Sequence, residues 1–235
     1  MSRDDPTEPA VGETWVYESL VGAIPGVSLS PRVAVGLQFA GFELAVIVLA
    51  AIYGLREAAI AGTVAVAVAA AGSAAMLDLG TRVRARDAPA PYRRLLFGSS
   101  MEVVLGLLAY VALLTYLFVY DPREGTTLVA ELLGEDPPLT AVYLLLLVSW
   151  DLCYRIGTGW WAAVAALYRS RRFTFDAETA AAFRRLDLRT AGFALVQLAL
   201  LPPLLPHPPL AVAVGGHVLA VWAVVAASVW SLSRP

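Results

Sequence analysis

The chain has 235 residues, of which 59% are hydrophobic and 15% charged, with a mean hydropathy of +0.69 and a net charge of −2. Soluble domains are about 45–50% apolar and have no way to bury this much apolar surface, so composition excludes a soluble fold and predicts an integral membrane protein. The acidic balance excludes the basic footprint of a nucleic-acid partner, and the lone cysteine, Cys153, excludes an intramolecular disulfide and a Cys-rich metal centre.

Residues 1–13 are polar, acidic and Pro-containing, which predicts a disordered tail; they lack the basic start and apolar core of a signal peptide. Residues 14–24 place Val16, Leu20 and Ile24 four apart beside Trp15 and Tyr17, the pattern of a short helix on a membrane surface, stopped by Pro25 and Gly26. Residues 1–31 are thus read as a tail with an interfacial amphipathic helix. Residues 32–235 are read as an all-α, polytopic transmembrane helix bundle with six spans, at about 33–53, 58–79, 95–120, 139–168, 190–205 and 210–232.

The first span contains Gln38 and Glu43, and Arg56 and Glu57 mark a tight turn after it. The second is mostly Ala, Val and Gly; small side chains allow close packing, so this helix belongs inside the bundle. Asp78 closes it, four residues before Arg82 and just ahead of Gly80, a helix-stop residue. The third span carries Glu102 between Gly98 and Gly106, and an acidic loop follows at 121–138. In the fourth, Asp151 and Arg155 leave one helix face, with Ser149, Cys153 and Gly157 also four apart, which admits a neighbouring backbone. Roughly thirty helical residues reach about 45 Å against a hydrocarbon core of about 30 Å. This helix must therefore tilt, kink near Gly157 and Gly159, or project past Trp160 and Trp161. Asp176 is placed to cap a helix whose Ala180, Phe183 and Leu186 share a face. The fifth span is short and ends in the corner LPPLLPHPPL, where His207 is expected in solvent. The sixth contains Gly215, Gly216 and His217.

Every basic residue is Arg, and their distribution orients the bundle. Fourteen of the seventeen fall on one side, dominated by residues 82–94 and 169–189, against Arg56 and Arg123 on the other, with Arg155 inside a span. Both termini are expected in the cytoplasm of a multi-pass cell-membrane protein. The two three-span halves have opposite topologies, as an inverted repeat requires. Only an acid in the first and fourth spans matches, and no repeat is inferred.

Charged groups at bilayer depth are costly and mark functional sites by default. Glu43, Glu102 and Asp151 face one intramembrane base, Arg155, so two carboxylates are left to take up protons, bind a cation or line water. The functional reading is a proton or monovalent-cation pathway through Glu43, Glu102, Asp151 and Arg155 in a transporter or small permeation unit. Gln38, Ser99, Ser100 and Ser149 supply neutral oxygens, and His217 a secondary relay. The structural alternative is a static Asp151–Arg155 pair with neutral Glu43 and Glu102 hydrogen-bonding between helices. A different function class is a non-catalytic scaffold whose basic face, at Arg171, Arg172, Arg184 and Arg185 with nearby aromatics, binds anionic lipid headgroups or a partner protein. No His pair has metal-ligand spacing, and no catalytic or cofactor motif is present: no phosphate-binding loop, no Gly-x-Ser-x-Gly turn, no His-Glu-x-x-His.

The runs LLFGSSMEVVLGLLAYVALLTYLFV (95–119) and WDLCYRIGTGWWA (150–162), in a chain without Lys, resemble uncharacterised multi-pass membrane proteins of halophilic archaea. The resemblance covers the six-span region and implies no activity, cofactor or site.

Overall fold

A computed structural model describes residues 14–16, 30–125 and 127–233. The expected tail and most of the interfacial helix lie outside the described residues. The remainder is all-α. Helix α1 (Pro31–Tyr53) begins at Ser30, whose hydroxyl accepts from the Val33 N–H, and stops at Gly54, whose φ of 70° is left-handed backbone that glycine adopts without a Cβ clash. Next come α2 (Arg56–Arg84), α3 (Ala90–Phe97), α4 (Met101–Thr115), α5 (Leu128–Leu133), α6 (Leu139–Arg172), α7 (Ala177–Val196), the single turn α8 (Leu201–Leu204) and α9 (Pro208–Ser231).

Five of these stretches are long and apolar enough to cross a membrane: 32–53, 56–84, 90–123, 139–172 and 208–231. The expected span at 190–205 is not among them by length and apolarity. Its residues are split between the end of α7, a 3₁₀ turn at Gln197–Leu200 and α8. Helix α7 starts thirteen residues upstream of Thr190, in the charged segment containing Arg184, Arg185, Asp187 and Arg189. The chain nevertheless runs the length of the bundle here. Asp187 in α7 pairs with Arg169 near the end of α6, whereas His207, just past α8, touches Asp121 and Glu131 at the opposite end.

The third of these stretches, 90–123, contains a break. Leu95, Leu96 and Phe97 belong to α3, and Ser100, with a left-handed φ of 53°, turns the chain into α4. Helix α4 continues through a π turn at Tyr116–Tyr120 and a 3₁₀ turn at Asp121–Arg123. The long fourth span is one helix of 34 residues, about 51 Å, and it continues to Arg172.

Glycines decide how α4 and α6 meet. A Cβ on Gly157 would sit 2.6 Å from the Gly106 nitrogen, and one on Gly106 would sit 2.9 Å from Tyr154 Cα. The two backbones therefore touch, as the four-residue spacing of small residues in α6 predicts. Helix α2 is the most enclosed of the five long stretches, with 39% of its most apolar window buried against 6% for α1, as its small residues predict.

One apolar cluster gathers Trp15, Val83, Tyr92, Phe97, Phe183 and Leu232, so both described chain ends meet the basic loops at one end of the bundle. The turn after α1 lies at the other end, where the Tyr53 hydroxyl is 3.2 Å from that of Thr140, near the start of α6.

Candidate functional site

Arg155 and Asp151 project from one face of α6, one helical turn apart. The Arg155 Nη2 donates to Asp151 Oδ1 at 2.9 Å, with the Arg155 side chain fully buried and that of Asp151 16% exposed. Arg155 also reaches the Met76 sulfur at 3.7 Å and lies 5.1 Å over the Tyr154 ring. Room for it comes from Gly72 in α2, where a Cβ would fall 2.7 Å from Arg155 Cβ. From the other side, Gln38 of α1 donates to Asp151 Oδ2 at 2.7 Å. The carboxylate thus ties α1 to α6 around a charge: both its oxygens are used, one by a cation and one by a neutral amide.

Space exists on both sides of this cluster. A cavity of about 300 Å³ between α2, α6 and α7 is lined by Arg155, Met76 and Thr158 inside and by Asp78 and Arg189 at the charged end. Asp78 accepts from Arg82 at 2.7 Å and from Arg189 at 2.6 Å, a half-exposed bracket between α2 and α7. The Asp78–Arg82 pair is the one its spacing predicts; Arg189 is added by the fold. Beyond the ion pair, Gln38 and Asp151 line a pocket of about 10 Å³, room for about one water, walled by Phe39, Phe42, Val66 and Val148.

The other two acids expected within spans have separate partners. Glu43 accepts from the Thr63 hydroxyl at 2.7 Å, which links α1 to α2. Glu102, fully buried in the first turn of α4, lies beside the backbone N–H of Val16 in the N-terminal segment. That segment is held also by Trp15, whose Nε1 donates to the Met76 carbonyl at 3.1 Å and whose ring packs edge-on to Phe97. Among the described residues no hydrogen bond joins the three carboxylates to one another.

Of the secondary candidates, Ser99 is exposed, donates to the Leu95 carbonyl and accepts from the Met101 N–H, so it shapes the α3–α4 turn. His217 faces Trp160, with ring centroids 6.1 Å apart. In the basic patch, Arg171, Arg172 and Arg185 are exposed, while Arg184 donates to the Leu232 carbonyl and closes α9.

Two polar networks were missed from the sequence. Arg169 makes a two-pronged pair with Asp187, at 3.0 and 2.8 Å, while its guanidinium lies 4.1 Å from the Phe183 ring centroid and 5.2 Å from that of Tyr92. Ser228 of α9 adds a third hydrogen bond to Asp187 at 2.8 Å. The available signal was Asp187 four residues after Phe183, an acid on the apolar face of α7.

The second network corrects the placement of His207. Expected in solvent, it is 4% exposed, with Nδ1 3.1 Å from Asp121 and Nε2 3.1 Å from Glu131. The short α5 and the turn after α4 fold over it: Asp121 also accepts from the Tyr116 hydroxyl at 2.9 Å and the Leu128 N–H at 2.7 Å. A neutral imidazole donates through one nitrogen only, so both contacts are satisfied when an extra proton sits on the ring or on a carboxyl.

The bundle therefore carries buried carboxylate, arginine and histidine networks across its long apolar helices. Among the described residues no group of three or more His, Cys, Asp or Glu side chains is arranged to hold a metal ion. No curated protein and no solved structure matches the chain. A family model does match, over residues 10–228, and on that evidence the chain belongs to DUF7530, a family of unknown function.

Proposed function

We propose that the protein is a multi-pass membrane protein that conducts protons or a monovalent cation through the Arg155–Asp151–Gln38 cluster, with Glu43 and Thr63 further along the path. The observation that carries the reading is the position of Asp151 between two spaces, the charged-end cavity reaching Arg155 and the one-water pocket beside Gln38. A carboxylate held by one arginine and one amide exchanges a proton or cation when the arginine swings toward the cavity, because Asp78 offers a second anionic partner at its mouth. Burial makes each unpaired state costly, so the charge moves only with its counter-charge. Glu102, set against the N-terminal segment, is outside this path.

Flux into proteoliposomes under an imposed proton or cation gradient tests it. Asp151→Asn abolishes flux while Glu102→Gln retains it, and both variants keep the wild-type elution profile. Wild-type protein without flux under any gradient, or Asp151→Asn with full flux, refutes the reading.

A further inference from the structure

A larger space than those beside the ion pair lies elsewhere among the described residues. A cavity of about 560 Å³ lies toward the end of the bundle opposite the basic loops, walled by α1, α2, α4, α5, α6 and α9. Its volume falls within the range of small-molecule sites, about 300–1,000 Å³. Its lining is Leu, Val, Ala, Ile and Pro, interrupted by a few polar side chains, and no Asp, Glu or Arg is among them. That excludes an ion, a phosphate headgroup or an ionised carboxylate as occupant, since none would find a counter-charge.

One wall residue is out of keeping with its surroundings. Gln197, at the 3₁₀ turn where α7 loosens, is 1% exposed, and neither its amide oxygen nor its amide nitrogen has a hydrogen-bond partner. Buried side-chain amides are almost always paired, because a lost hydrogen bond is not replaced by water in an apolar interior. His217 lines the same cavity, and its Nε2 is likewise buried without a partner. A donor and an acceptor on one amide, both unused, are complementary to a hydroxyl, which accepts from Nε2 and donates to Oε1.

We propose that this cavity binds an apolar molecule carrying a neutral hydroxyl, of the long-chain alcohol class, with the chain against the aliphatic walls and the hydroxyl on Gln197. The site is separate from the Asp151 cluster and stands whether or not ions are conducted.

The test uses full-length protein in liposomes with a diazirine-bearing hexadecanol, and a hexadecane probe carrying the same diazirine as comparison. The hydroxyl probe labels residues of the cavity wall and unlabelled hexadecanol competes it away. Gln197→Leu keeps the volume, loses two hydrogen bonds and lowers labelling by about tenfold. Ala213→Phe, one turn from His217 on α9, fills the space and abolishes labelling by both probes. Equal labelling by the alcohol and alkane probes, or wild-type labelling of Gln197→Leu, means that Gln197 is paired by water alone and overturns the proposal. If Gln197→Leu does not fold, Ala213→Phe and the comparison of probes still decide: labelling that persists in Ala213→Phe overturns it.

Discussion

At the scale of single residues, the charges with the largest structural consequence are not the ones that mark the candidate path. Arg169 and Asp187 are 1% and 2% exposed and bind each other through two hydrogen bonds, with Ser228 and two aromatic faces completing the shell. Removing one partner strands a buried charge, so Asp187→Ala is expected to cost about 3–5 kcal/mol, read as a lowered thermal unfolding midpoint in detergent. Ser228→Ala, which leaves the ion pair intact, costs less, about 1 kcal/mol. Asp176 acts differently, from the surface. Its carboxylate accepts from the N–H groups of Thr179 and Glu178 and from the Thr179 hydroxyl. These hydrogen bonds, those from Thr179 foremost, hold it below the usual carboxylate range. Its folded value is thus lower than its unfolded one, about 3.9. The cap stabilises α7 in full above that pH and loses the contribution as pH falls through the folded value. Protection of the amides at the start of α7, measured as exchange relative to the intrinsic rate at each pH, should fall in that acid window in the wild type, and Asp176→Ala should show that lower protection already at pH 6.

At the scale of elements, contact between α4 and α6 is set by two glycines that face each other without side chains. The sequence pointed to Gly157 through its spacing from Ser149 and Cys153, but the partner Gly106 emerged only when the helices crossed. Gly157→Ala places a methyl group 2.6 Å from the Gly106 nitrogen, so the helices must part. The expected loss is about 1–3 kcal/mol, the usual cost of overpacking, and Gly159→Ala, whose Cβ would meet only the Phe193 ring at 3.4 Å, should lose less in the same unfolding assay. The helix breaks inside the third and fifth expected apolar stretches share a physical cause. Hydropathy averages over a window and does not register a turn inside it: Ser100 breaks the third stretch by adopting left-handed backbone, and Gln197 begins a 3₁₀ turn in the fifth. Both local breaks sit within apolar sequence that reads as continuous.

For the whole molecule, end-to-end contacts arrange the chain so that the basic loops and both described chain ends lie together. The arginine bias predicts a cytoplasmic location for that end. Asp87→Cys and Glu135→Cys, both at exposed positions on opposite ends, test this in right-side-out vesicles. A membrane-impermeant maleimide should label Glu135→Cys at once and Asp87→Cys only after permeabilisation, while the native Cys153, 6% exposed, stays unlabelled. The reverse pattern would invert the topology.

The sequence by itself determined the class of the protein, its all-α fold, most of its long helices and the Asp151–Arg155 pair. These follow from composition and from spacing along one helix, quantities that are local to the chain. Glu43, Glu102 and Asp151 were legible as acids within spans, but their partners were not. Gln38, Thr63 and Val16 reach them from elsewhere in the chain, and such contacts depend on which helix faces pack together. The same holds for Asp187, His207 and Gln197. Whether a polar side chain is paired, exposed or left unsatisfied beside a cavity is fixed by neighbours distant in sequence, and so only the tertiary structure decided it.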